Sequence, residues 1–181
     1  YWLPPGAAPP FSGDDRRVDP IVRALGEGGY KARRVDDVPS QTAFGAATLL
    51  PIIAALEAAD WSLSGLRKGP WIGVGARAAR ESQALAAAHL GVAGGSSLLR
   101  LLLAPPVLRL GAAIAPIAAP FPLEVYLKTH FTKVGDQTLA HLRRYLDLGA
   151  ERGLPTAHLR QLRDALVARR PDGEPAPALS P

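Results

Sequence analysis

The sequence has no cysteine, no methionine and no asparagine among its 181 residues. Without cysteine there is no disulfide framework, no thiolate zinc site and no catalytic thiol, and redox chemistry needs a cofactor. Lysine is scarce, 4 against 17 arginines. Together with abundant alanine, this resembles the bias of a GC-rich coding sequence, so missing Lys and Asn carry less chemical meaning than usual. Aromatic residues make up 6% and charged residues 20%, with a net charge of +5. Such a modest excess does not imply nucleic acid. Long apolar runs are also lacking. Ala43 to Leu56 is closed by Glu57, and Leu98 to Pro122 is interrupted by Arg100, Arg109 and five prolines, whereas a membrane span needs roughly 20 apolar residues. No signal sequence opens the chain. The expectation is a soluble, cytoplasmic protein with neither membrane nor nucleic acid as partner. A hydrophobic share of 48% excludes disordered and fibrous classes and suits one domain, or one domain and part of another.

Residues 1–39 differ from the rest. Pro and Gly cluster in YWLPPGAAPPFSG, a helix is expected with Asp19 as N-cap and Pro20 at its first position, and Tyr30 to Val35 is a weak strand candidate. One helix and one strand do not build a core, so the chain reads as a piece of a longer polypeptide. From Ser40 the pattern is helical, with five helices expected from SQTAFGAATLLPIIAALEAADW to PTAHLRQLRDALVARR. The fourth, PLEVYLKTHFTKVGDQTLAHLRRYLDLGAERG, places Leu123, Leu127, Phe131, Val134, Leu142 and Tyr145 on one face and is expected to pack lengthwise across the domain. The fifth carries Leu159, Leu162 and Leu166 on one stripe, with Thr156 as its expected cap. Charge is zero over 1–39, +3 over 40–119 and +4 over 120–170. The domain expectation is therefore 1–39, an all-α 40–170, and a disordered tail 171–181.

Gly73-Val-Gly75-Ala-Arg-Ala78 matches a dinucleotide-type G-x-G-x-x-A, but only Trp71 and Ile72 stand where a buried strand belongs. A helix with small packing residues explains it better. Histidines at 89, 130, 141 and 158 lack an H-x-x-x-H pair or a companion carboxylate cluster, so no metal site is expected. A G-x-S-x-G elbow is lacking too. More telling is the polar side of the fourth helix, where Tyr126, His130, Lys133, Gln137 and His141 are spaced by 4, 3, 4 and 4 and form one stripe. A stripe at the edge of a core is where a cleft places polar groups. His130 suits acid–base work near neutral pH, Lys133 suits an anion or a proton donor, and Gln137 suits orienting a hydroxyl or amide. The alternative is a solvated helix flank with a Lys133/Asp136 pair of little consequence.

PFPLEVYLKTHFTKVGDQT, residues 120–138, followed by GAERGLPTAHLRQLRDAL, resembles the C-terminal domain of the ketopantoate reductase (2-dehydropantoate 2-reductase-like) family. FSG, the helix and the V-D-D-V segment resemble the end of that family's nucleotide-binding domain, and Gln41 to Trp61 its first C-terminal helix. The strongest element, HFTKVGDQT, is similar to a divergent branch. The resemblance implies a mainly α fold, similar to the C-terminal domain of 6-phosphogluconate dehydrogenase, preceded by the last helix and strand of a Rossmann-like domain that binds NADP. It also implies reduction of a 2-oxo acid or related carbonyl, one wall of an interdomain cleft, and a possible homodimer. Where the family carries a catalytic lysine and asparagines, this chain has Thr42, Ala46 and Leu50, and the family's later glutamate falls at Gln137 beside Asp136. That leaves Lys133, His130 and Gln137 as catalytic candidates and Asp136 and Tyr126 as substrate contacts. A non-catalytic helical module that dimerises or binds a partner through its apolar surfaces is the alternative.

Overall fold

The computed structural model describes residues 8–92, 101–133 and 135–169, apart from the side chain of Gln41. The protein is mainly helical. It divides into two compact units, residues 1–43 and 44–181. The expected disordered tail 171–181 lies outside the described residues.

The first unit is a β–α–β segment. Strands β1 (Pro10–Phe11) and β2 (Arg33–Arg34) pair in parallel, Pro10 with Arg33 and Phe11 with Arg34, and helix α1 (Asp15–Glu27) joins them. Parallel neighbours require such a crossover. The helix starts a turn earlier than Asp19 and Pro20 suggest. Asp14 is the N-cap, its side chain accepting from the Arg16 N–H at 2.8 Å, and Pro20 lies inside. Asp19 instead pairs with the Arg34 guanidinium at 3.0 Å, and Arg34 also pairs with Asp15, which ties β2 to the start of α1. Val18 and Val35 are the buried apolar residues beneath. Helix α2 spans Val38–Ala58. Its start is capped by Ser12 Oγ, which accepts from the Val38 N–H at 3.2 Å, and by Asp37, which accepts from the Ser40 N–H at 3.2 Å.

The second unit is a helical assembly around α4 (Trp71–Leu90), against which α3 (Leu63–Lys68), α5 (Pro105–Ala118), α7 (Gly135–Arg152) and α8 (Ala157–Val167) pack. Helix α4 is the centre because its small residues let neighbours approach. A Cβ on Gly75 would lie 2.7 Å from Ala55 Cβ of α2, closer than carbon atoms pack. The segment Gly73 to Ala78 therefore lies within a helix, as its context implied. Gln83, also buried, donates from Nε2 to Thr48 Oγ1 at 2.7 Å, a second tie between α4 and α2. The core is completed by Leu139 and Leu142 of α7 and by Leu159, Leu162 and Leu166 of α8, each 0% exposed. The leucine stripe of the last helix is thus the face it buries.

The expected fourth helix is helical on either side of Val134, over α6 (Leu123–Lys133) and α7, and Val134 itself lies outside the described residues. The two differ in depth. Helix α6 buries no residue, with Leu123, Leu127 and Phe131 only half-buried, while α7 is the one that enters the core. The third expected helix, written from Ser96, is helical at residues 101–102 and again from Pro105, with a turn and bend at Leu103 and Ala104 between them; two prolines fit the first turn of the second piece, whose N–H groups need no helical acceptor. Helix α3 was not anticipated, since six residues carry no readable period. It follows a turn in which Asp60 (φ 58°) and Trp61 (φ 60°) are both left-handed, a conformation costing about 1–3 kcal/mol per residue. The turn is held by a Trp61–Phe131 stack, ring centres 6.3 Å apart, and by the pair of Asp60 with Arg169. Among the described residues no single helix is long and apolar enough to cross a membrane.

Candidate functional site

The candidate stripe begins on α6. Its orientation follows from which side of the helix has partners. Glu124 accepts from the Leu63 N–H of α3 at 2.6 Å, and Phe131 lies on Trp61. These contacts hold one side of α6 inward and leave Tyr126, His130 and Lys133 exposed on the other. Tyr126 and His130 are brought together, their rings stacked at 5.7 Å and 14°. Phe121 tilts against Tyr126 at 5.1 Å, and Phe131 meets the His130 ring edge-on at 4.9 Å. An aromatic row, Phe121–Tyr126–His130–Phe131–Trp61, therefore runs along α6 to the left-handed turn. Sequence spacing predicted the adjacency of Tyr126 and His130 but not Trp61, which is 65 residues before Tyr126 in the chain. Lys133 ends α6, and Asp136, Gln137 and His141 lie exposed on α7. Of the family-position residues, Thr42 donates its hydroxyl to Val38 O at 2.8 Å, Ala46 is exposed and Leu50 is half-buried.

Two cavities of this unit lie elsewhere. One of about 440 Å³ sits between α3, α5 and α6, with Ser64, Arg67 and Glu124 as its polar groups. A second of about 350 Å³ is apolar and lies beneath α5, walled by Ile52, Leu56, Leu66, Ile72 and Leu108 among others. None of Tyr126, His130, Lys133, Asp136 or Gln137 lines either. The stripe is thus an open helical surface within its own unit.

The densest polar cluster is one that sequence reasoning missed. Glu81 of α4, its side chain 10% exposed, accepts from the backbone N–H groups of His158 (3.1 Å) and Leu159 (3.0 Å), and its Oε1 lies 2.7 Å from His158 Nδ1. Arg77 Nε donates to His158 Nε2 at 2.8 Å. An imidazole that accepts at Nε2 carries its proton at Nδ1, so the neutral ring donates to Glu81 and bridges the two charged groups. Thr156 occupies the N-cap position of α8 as expected but makes no side-chain cap bond. Glu81, from another helix, does that work. A stretch of 77 residues separates Glu81 from His158, so no local motif announces it. The cluster has the donor pattern of a structural clasp, because every ring nitrogen of His158 is already engaged.

In the second unit, burial also pushes the Tyr145 hydroxyl above its ordinary ionisation range. In the first, the Ser40 hydroxyl and then its N–H hold the Asp37 carboxyl below its own. Gly73 to Ala78 is the segment with the spelling of a dinucleotide-binding loop. Gly73 and Gly75 are inside α4, and Gly75 faces α2, so they form no phosphate cradle at a helix start. Comparison with family models, with curated proteins and with solved structures returns no match to this chain.

Proposed function

We propose that the chain is the C-terminal, mainly helical part of an oxidoreductase similar to the ketopantoate reductases, acting on a 2-oxo acid or related carbonyl. The observation that carries this reading is the order of the two units. A parallel β–α–β segment precedes a helical unit, the succession of a nucleotide-binding sheet and a helical substrate domain. A pair of two-residue strands is a sheet fragment, and its partner in this reading is an N-terminal Rossmann-like domain, which would hold NADP. This chain would contribute one wall of the cleft between them.

The α6–α7 stripe supplies the chemistry on that wall. The Lys133 ammonium or the His130 imidazolium gives a proton to the carbonyl oxygen, and Gln137 orients the substrate through its amide; the reduced cofactor, held by the N-terminal domain, would supply the hydride to the carbonyl carbon. Asp136 and Tyr126 contact the substrate, Tyr126 with its ring already fixed between Phe121 and His130. Solvent exposure of the stripe supports this role, since a wall that closes only against a second domain is open in the isolated unit.

The test uses the full-length polypeptide, with NADPH oxidation followed across a panel of 2-oxo acids. Lys133→Ala or His130→Ala is expected to lower kcat by about 10²–10⁴, the usual contribution of a positioned acid. Gln137→Ala should act mainly on KM. An unchanged kcat in both Lys133→Ala and His130→Ala refutes the assignment.

A further inference from the structure

The cavity of about 440 Å³ between α3, α5 and α6 has the size of a small-molecule site, about 300–1,000 Å³. It holds two opposite charges that do not meet. Arg67 of α3 and Glu124 of α6 both line it, and among the described residues no ion pair joins them. Glu124 instead turns Oε1 to the Leu63 N–H at 2.6 Å, which leaves its second oxygen for another donor. The Arg67 guanidinium and the Ser64 hydroxyl have no hydrogen-bond or ion-pair partner among the described residues. Opposite charges in one cavity gain by pairing; held apart, they suit a third body that carries both signs. Ser64, Arg67 and Glu124 are exposed, so a solute reaches them without any opening of the fold.

We propose that this cavity binds a free α-amino acid with an apolar side chain. The ligand's carboxylate pairs with the Arg67 guanidinium, whose forked N–H donors match two oxygens. The Ser64 hydroxyl, one turn earlier on the same face of α3, donates to that carboxylate as well. The ligand's ammonium donates to the Glu124 oxygen that the Leu63 N–H does not use. Charge selects the zwitterion. A simple anion would meet Glu124, and a simple cation would meet Arg67. The rest of the wall selects the side chain: Ala112, Ala113, Pro116 and Val125 offer no hydrogen-bonding group, so a polar side chain would lie there unpaired. Leu63 and Ala112 also wall the apolar cavity beneath α5, so hydrocarbon surface continues beyond the charged end. This site stands whether or not the α6–α7 stripe is catalytic.

Isothermal titration calorimetry of the full chain tests it, with leucine as the probe and circular dichroism confirming that each variant is folded. Leucine is expected to bind saturably at one site. Isocaproate, which lacks the ammonium, and isoamylamine, which lacks the carboxylate, should each bind about tenfold or more weaker, the scale of a lost hydrogen bond to a charged group. Glutamate, with the same charged end and a polar side chain, should be weaker by about the same factor. Arg67→Gln should weaken leucine and isocaproate alike and leave isoamylamine unchanged. Glu124→Gln keeps an acceptor for the Leu63 N–H and should weaken leucine and isoamylamine without weakening isocaproate. No leucine binding at millimolar concentration, or leucine binding indifferent to both variants, would overturn the site. Isocaproate as tight as leucine would assign the cavity to plain carboxylates, and glutamate as tight as leucine would remove the apolar class; either result overturns the proposal.

Discussion

Replacing Glu81 should be among the most damaging single changes outside the leucine core. Its carboxylate caps α8 through the His158 and Leu159 N–H groups at 3.1 and 3.0 Å and meets the His158 ring at 2.7 Å, with a side chain only 10% exposed. Losing a helix N-cap costs about 1 kcal/mol. A hydrogen bond to a charged group contributes about 1.5–3 kcal/mol. The three donors share one carboxylate and do not add in full, so Glu81→Ala should cost about 3 kcal/mol, a large part of an ordinary domain's stability. In a chain of this size that is a fall of about 6–12 °C in Tm. Glu81→Gln keeps one acceptor and turns an NH₂ toward other donors, and should lose about half as much. Urea unfolding followed by far-UV circular dichroism reads these values. Glu151→Ala is the control, since its pair with Arg144 is long, at 3.5 Å, and exposed on both sides; such pairs contribute about 0–1 kcal/mol. A midpoint for Glu81→Ala that coincides with that of Glu151→Ala would refute the clasp.

Other outcomes follow from the same packing. Gly75→Ala places a methyl 2.7 Å from Ala55 Cβ and should destabilise by about 1–3 kcal/mol through overpacking. In equilibrium urea unfolding, a neutral result would show that α2 and α4 are free to separate. Leu162→Ala, at a fully buried position of α8, should cost about 2–5 kcal/mol, and a loss below 1 kcal/mol in the same assay would mean α8 is not a core element. Asp37 titrates below the ordinary carboxylate range because Ser40 hydrogen-bonds it. A depressed folded-state value stabilises above the unfolded-state value and is lost as pH falls through the folded one. Carboxylate NMR should therefore show Asp37 moving up toward the ordinary range in Ser40→Ala, and no movement would deny the cap.

The residues show how far sequence reading reached. Period made Leu159, Leu162 and Leu166 legible as one buried stripe, because each follows the last at helical spacing and the opposite face is charged. The same logic placed Tyr126 and His130 side by side. It failed at Asp19, where a good capping pair lost to Asp14 because the carboxylate of Asp19 is used by Arg34 across the β–α–β unit. Neither α3, too short to show a period, nor Trp61, left-handed and stacked on a distant phenylalanine, could be read locally. Nothing local to Glu81 marks it as a cap, because the N–H groups it accepts from belong to another helix.

Composition and periodicity by themselves determined that the chain is mainly helical, which helices carry apolar stripes, and that the glycines at 73 and 75 belong to packing. These properties depend on neighbours within two turns, and the sequence lists those neighbours directly. The tertiary structure alone decided that Glu81 caps a helix 77 residues away, that α7 enters the core while α6 does not, and that α5 leaves Leu110, Ile114 and Ile117 uncovered. Those outcomes turn on which faces meet in three dimensions, where the burial of one charge or one leucine is settled by residues that no local pattern relates.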